Sequence, residues 1–293
     1  MKGELKMRAL VPGQTWVSRV PAGRGFPRFG REHRQSFQPE IIERAWQGTQ
    51  QHESLLGLWN QTYAAIYGCM TSLQVTGELW RSMGEIACRN FSGGVVLDVG
   101  VGTGNITEQI LRGSQVDVVG ADWSEPFLRK AQRRLAVPVF KDRVSLWRVD
   151  LSQKPWPWPS ASFDGAVSNY VLPYLPRSAQ VNIVEEAYRV LLPGATFLVN
   201  FMRRGSSFRD IIRFNLRREF MANPAVLMAG FILIRPIFSK KADAARQAGL
   251  TYDFSDEEFT RLVRDIGYRK VELVAEGLPG PQGASVPVFR LVK

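Results

Sequence analysis

Three glycines alternate with other residues in Val99-Gly100-Val101-Gly102-Thr103-Gly104, directly behind the apolar run Val95-Val96-Leu97-Asp98-Val99. The run reads as a buried strand. Asn105, with Ile106, Ile110 and Leu111 on one face, opens a helical pattern. A strand that turns so abruptly into a helix needs glycine, which adopts positive φ freely and lets a ligand approach the backbone. The helix N-terminus then presents N–H groups without intrahelical partners and the positive end of the helix dipole. This one feature commits the chain to a β–turn–α unit at its centre.

The surrounding pattern extends that unit. Val116 to Asp122 is a second apolar run, and Ser124 is placed to cap a helix through Leu135. Val144 to Val149 predicts a third strand and Phe163 to Ser168 a fourth. Ala179 to Leu192 predicts a helix stopped by Pro193-Gly194, and Thr196 to Phe201 a fifth strand. Strands alternating with helices predict an α/β fold, a doubly wound and mostly parallel sheet with helices on both faces. Ser255 caps a helix carrying Phe259, Leu262, Val263 and Ile266, which Gly267 ends; Val271 to Ala275 and Val286 to Val292 add two strands. The sheet is expected to hold seven strands.

Around this core the sequence divides further. Residues 1–39 hold Pro12, Pro21, Pro27 and Pro39 among scattered arginines and predict an irregular basic arm. Residues 40–92 predict N-terminal helices, the pattern beginning at Ile41, Ile42, Ala45 and Trp46. The α/β core spans 93–202. Residues 203–250 interrupt it with ten Lys or Arg against three Asp or Glu, and predict a helical lid insertion. Residues 251–293 complete the core.

The chemistry starts at the loop. The spacing is G-x-G-x-G rather than the G-x-G-x-x-G that receives a pyrophosphate, and Asp98 stands two residues ahead of Gly100. An acid there opposes a pyrophosphate and suits a cationic ligand with an amino group; S-adenosylmethionine is one. Asp122, at the end of the second strand, is placed to accept from ribose hydroxyls. Asp150 is placed to accept from an adenine amine, with Leu151 offering its backbone N–H and Trp123 a ring face. Asn169 closes the set at the end of the fourth strand.

Together these residues resemble the class I S-adenosylmethionine-dependent methyltransferases. Val95 to Gly104 is similar to that family's first motif, Asp122 to its ribose-binding acid and Asp150 to its adenine-side acid. Phe163 to Ser168 resembles its fourth strand, and Arg189 to Ala195 the approach to its fifth. The resemblance implies a Rossmann-like fold, S-adenosylmethionine as cofactor with Asp98, Gly100, Gly102, Gly104, Asp122, Trp123, Asp150, Leu151 and Asn169 around it, and an enzyme of the small-molecule branch, similar to quinone and lipid methyltransferases.

The acceptor is less legible. Methyl transfer from a sulfonium proceeds largely by alignment, so a general base is optional; His33, His52, Tyr170 and Tyr174 are the weak catalytic candidates. The Asn/Asp-Pro-Pro-Tyr signature of amino methylation is missing from Asn169-Tyr170-Val171-Leu172-Pro173-Tyr174. The basic, apolar stretch 208–241 predicts a hydrophobic acceptor, with peripheral membrane contact as an alternative. The net charge of +11 leaves an RNA methyltransferase open, though less favoured. A non-catalytic methyltransferase-like binding module is the remaining alternative. Cys69 and Cys88 cannot build a disulfide framework, and Met1 to Leu10 lacks a signal-peptide apolar region. A cytoplasmic location, with membrane association as an alternative, and no metal site are expected.

Overall fold

The computed structural model describes residues 41–43, 74–140, 142–201, 203–205, 251–279 and 285–293. In chain order the elements are β1 (Ile41–Glu43), α1 (Gln74–Asn90), β2 (Val95–Val99), α2 (Asn105–Gly113), β3 (Asp117–Asp122) and α3 (Glu125–Leu135). They continue with β4 (Val144–Arg148), β5 (Phe163–Ser168), α4 (Arg177–Val190), β6 (Leu191–Asn200), α5 (Asp256–Ile266), β7 (Lys270–Pro279) and β8 (Ser285–Val292).

The strands form one sheet in the order β1-β4-β3-β2-β5-β6-β8-β7. From β1 to β6 every pairing is parallel; β8 runs antiparallel to both β6 and β7. This is the expected doubly wound, Rossmann-like methyltransferase sheet of seven strands, with β1 added at one edge. Chain direction through the sheet reverses between β2 and β5, the point where ligands bind such folds, beyond the carboxyl ends of the strands.

Alternation along β2 explains how the sheet is covered. Val96 packs with α1, α2 and α3 through Met83, Ile106, Ile110, Leu128 and Ala131. Leu97 and Val99 point the other way, toward Ile183 and Val184 of α4 and Phe259 and Val263 of α5. A strand buried on both faces must be apolar at nearly every position, which is why β2 and β3 read as unbroken runs. Asp98 breaks the run and, by the same period of two, faces the α2 side.

Three local readings differ. Ile41–Glu43 is a strand paired parallel with Leu146 to Arg148, not the start of a helix. Two adjacent isoleucines suit a sheet edge as well as a helix, and short apolar runs cannot separate the two. The helix before Pro193-Gly194 ends at Val190, and both residues lie inside β6 at an irregular register with β5. Gly194 takes φ 80° there. Finally, α1 belongs to the core rather than preceding it, since Trp80, Met83, Ile86 and Ala87 are buried in the α2–α3 layer.

The flanks of the predicted lid meet. Arg203 bridges to Phe254 and forms a two-pronged ion pair with Asp256 at 2.8 and 2.7 Å. The described residues on either side of 206–250 therefore lie together. The predicted lid across 206–250, the basic arm 1–39 and the predicted helices across 44–73 lie outside the described residues.

Candidate cofactor site

The glycine turn is held from both sides. The N–H groups of Gly100 and Val101 both donate to the Ala121 carbonyl, at 2.8 and 2.9 Å. Gly100, Gly102 and Gly104 take φ values of 78°, 53° and 79°. A Cβ on Gly100 would stand 2.1 Å from Val171 Cγ2, and one on Gly104 would press on Leu135 and Ala131 at 3.2 and 3.3 Å. At Gly102 the nearest atom would be 3.8 Å away. Gly100 and Gly104 are thus needed for packing as well as φ, while the surface over Gly102 is open. Arg134 fixes the turn further by donating from Nε to the Thr103 carbonyl at 2.9 Å.

Two buried acids stand beside the turn. Asp98 is 2 % exposed and accepts from Thr107 Oγ1 of α2 at 2.5 Å. Burial pushes its carboxyl up to about 7; the Thr107 bond works against that, and the neighbouring Asp122 charge adds to it. Asp122 is 8 % exposed and accepts from the N–H of Ser124 at 2.8 Å and of Gly102 at 2.9 Å. Burial raises it to about 6 against the opposing backbone hydrogen bonds from Ser124, Gly102 and Trp123. Neither acid has a salt-bridge cation among the described residues. Two desolvated carboxylates side by side are costly unless a positive group joins them. The open face over Gly102 gives such a group a way in, and Asp122 retains lone pairs for hydroxyl donors while it braces the loop.

The other expected residues gather along the same edge of the sheet. Trp123 is half-buried, and its carbonyl accepts from Arg148 Nε at 3.2 Å. Asp150 lies just past β4; its Oδ1 accepts from the Ser152 N–H at 3.0 Å and hydroxyl at 2.7 Å. Leu151 is buried, and its carbonyl accepts from the Trp156 indole at 3.0 Å. Asn169 follows β5 and is 9 % exposed. Tyr170 is buried with its ring edge-to-face on Trp80 at 6.1 Å. Tyr174 is half-buried against the same cluster as Trp80 and Val101. His33 and His52 lie outside the described residues.

Two partners escape a reading of sequence alone. Thr107 tethers Asp98 from the first turn of α2. Asn200, buried at the end of β6, accepts the Tyr170 N–H at 2.7 Å and donates to Asn169 Oδ1 at 2.6 Å. A polar residue closing the apolar strand Thr196-Phe197-Leu198-Val199-Asn200 was the available signal for the second.

Residues 96–194 match the family described as a methyltransferase domain. Over 126 residues the chain is 33 % identical to a demethylmenaquinone methyltransferase of Symbiobacterium thermophilum, covering 41 % of this chain and 46 % of that protein. A demethylmenaquinone methyltransferase of Lactiplantibacillus plantarum is 34 % identical over 122 residues, covering 41 % and 50 %. The chain spans about half the length of these curated relatives. Among solved structures, a Leishmania major S-adenosylmethionine-dependent methyltransferase aligns with a TM-score of 0.55 at 15 % identity, over 83 % of this chain and 82 % of that one. A Burkholderia thailandensis 1,6-didemethyltoxoflavin-N1-methyltransferase with bound S-adenosylhomocysteine aligns at 0.52 and 16 %, over 86 % and 93 %. At such identities the structural matches speak for the fold. The family match supports the expected methyltransferase domain over residues 96–194, and these neighbours support its fold.

Proposed function

Taking residues 96–194 as a methyltransferase domain on the class I S-adenosylmethionine-dependent fold, we propose that this chain methylates a ring carbon of a quinol-like acceptor. The observation that carries the cofactor half is the pair of buried acids, Asp98 and Asp122, beside an open glycine turn and without a cation among the described residues. The demethylmenaquinone methyltransferases at 33 % and 34 % identity support the acceptor class.

S-adenosylmethionine, when bound, supplies a methyl group already activated by its sulfonium. The chain's own residues then have three tasks. Asp98 and Asp122 balance the positive amino and sulfonium end, and Gly100, Gly102 and Gly104 let the backbone approach it. Asp122 offers its remaining lone pairs to the ribose hydroxyls. Asp150, Leu151 and Trp123 border the adenine, on the far side of β3.

The acceptor must be electron-rich. A quinone ring is an electrophile and does not attack a sulfonium methyl; its reduced dihydroxy form does, at a carbon next to an ionised hydroxyl. The ring carbon forms the new C–C bond, the S–CH3 bond breaks with its electrons left on sulfur, and the displaced ring proton goes to water. Alignment and exclusion of solvent can supply most of the rate. Tyr170 and Tyr174 wall the region past β5, and neither has to move a proton.

Purified protein, tritium-methyl S-adenosylmethionine and a short-chain demethylmenaquinol test the reading. Label in the organic phase supports it. Label in added RNA and not in the quinol would establish the RNA alternative, and cofactor binding with no transfer to either acceptor would favour a non-catalytic module.

A further inference from the structure

The turn after β5 contains a hydrogen-bonding direction that can be worked out atom by atom. The Tyr170 backbone N–H can only donate, and it meets one end of the Asn200 amide at 2.7 Å. That end is therefore the oxygen. The other end of Asn200 is the NH2, and it donates to Asn169 at 2.6 Å. Asn169 must present its own oxygen there. Its NH2 is left over, buried and without a hydrogen-bond partner among the described residues. A buried amide donor with nothing to bind is costly, so such a group calls for an external acceptor.

Its surroundings indicate which acceptor. Tyr170 is held at φ 58°, a left-handed conformation that is strained for a tyrosine. This turns the chain so that Val171 presses on Gly100 of the cofactor loop, where no Cβ would fit. The Tyr170 ring meets Trp80 edge-to-face, and the Trp80 indole N–H is another buried donor without a partner among the described residues. A buried, unpaired amide N–H next to the aromatic Tyr170–Trp80 pair suits an oxygen carried on a flat ring. In the reading proposed above, the cofactor's positive end is already balanced by Asp98 and Asp122 and does not require this donor.

We propose that Asn169 donates its side-chain N–H to a ring oxygen of the methyl acceptor, and that Asn200 is the positioning residue that keeps this NH2, rather than the amide oxygen, turned toward it. Asn169, expected from sequence to touch the cofactor, is thereby assigned to the acceptor. The assignment rests on the quinol reading above. A donor at the hydroxyl next to the reacting carbon favours its ionised form and so makes that carbon a better nucleophile.

Asn200→Asp separates positioning from folding. It keeps an acceptor for the Tyr170 N–H and removes the donor for Asn169, so the Asn169 amide turns over and offers oxygen. Steady-state rates with a short-chain demethylmenaquinol, calorimetric affinity for S-adenosylhomocysteine and thermal unfolding are measured for wild type, Asn169→Ala and Asn200→Asp. Both variants are expected to lose roughly 10- to 100-fold in kcat/KM, the size of one hydrogen bond to a charged oxygen. Their S-adenosylhomocysteine affinity is expected within about twofold of wild type, as lost donors to the acceptor leave cofactor binding alone. The pH–rate profile shifts upward in both, because the acceptor hydroxyl ionises less readily. Wild-type kcat/KM in Asn169→Ala, or a loss that follows S-adenosylhomocysteine affinity instead, overturns the assignment. If Asn200→Asp unfolds, Asn169→Ala alone decides. A wild-type protein that leaves the quinol unmethylated removes the proposed function and this acceptor together; methylation that is indifferent to Asn169 removes only this inference.

Discussion

The two halves of the site use opposite means. Around β2 and β3 the backbone does most of the work: three glycines at positive φ, a carbonyl shared by two N–H groups, and two acids set among them. Past β5 and β6 side chains do it, through the Asn169–Asn200 amide pair and the Tyr170–Trp80 contact. The first half has excess negative charge and calls for a cation. The second has excess N–H donors and calls for oxygen. The proposed transfer of a methyl group from a sulfonium to an oxygenated ring would use this asymmetry.

The comparison can be broken most severely at Gly100. Replacing it by Ala puts a Cβ 2.1 Å from Val171 and forces φ 78° on an L-residue. The strain alone is about 1–3 kcal/mol, and the clash adds to it. S-adenosylhomocysteine affinity measured by calorimetry should fall by roughly 100-fold or more. Adding Val171→Ala relieves the clash and not the φ, so only part of the affinity should return. An affinity within a few-fold of wild type in Gly100→Ala would mean that the turn does not shape the binding site.

Asp122→Ala comes next. It deletes the proposed ribose acceptor and leaves the Gly102 and Ser124 N–H groups without that carboxylate, with an expected loss of about 1–3 kcal/mol in cofactor affinity. Unchanged affinity would remove the ribose assignment.

The acids also give the first half a pH signature. Asp98 and Asp122 stand near 7 and 6 in the folded chain, above the usual carboxylate range. The folded state then binds more protons than the unfolded one between about pH 4 and 7. Their contribution to stability is fully present below about pH 4 and is lost as pH rises through 6 and 7. Binding of a cation requires the ionised forms, so S-adenosylmethionine affinity should rise across that same window. Thermal unfolding of the free chain and calorimetric titrations at matched pH should therefore trend in opposite directions. Parallel trends would show that the acids are not the groups responsible.

The smallest expected effect is that of Thr107→Val. It removes the one side-chain hydrogen bond that favours the Asp98 carboxylate. The midpoint of the affinity rise should move to higher pH, with a loss of about three- to tenfold at pH 7 that fades at pH 8.5. An equal loss at both pH values would point to packing instead.

The first half was far more legible in sequence than the second, for a physical reason. Glycines at positive φ and an acid in an apolar strand are local requirements, written at Val99 to Gly104 and at Asp98. The strand ends carrying Asp122, Asp150 and Asn169 follow from the apolar runs that mark the strands. The Thr107–Asp98 bond spans 9 residues, and the Asn200–Asn169 bond 31 residues between separate strands. No local pattern specifies which polar ends will meet. Ile41–Glu43 was misread because three residues are too few to reveal a period, and its strand conformation depends on the edge of β4. Pro193-Gly194 looked like a stop and is an irregularity within β6, tolerated where its pairing with β5 shifts register.

The central claim is that the glycine turn and its two buried acids form a site for the positive end of S-adenosylmethionine. Calorimetric titration of the full chain at pH 7.5, with S-adenosylmethionine and separately with NADH, tests it most directly. The account predicts one S-adenosylmethionine site, weakened by Asp98→Asn and by Asp122→Asn, and no NADH binding. Binding of NADH in preference to S-adenosylmethionine, or S-adenosylmethionine affinity untouched by either substitution, would contradict it.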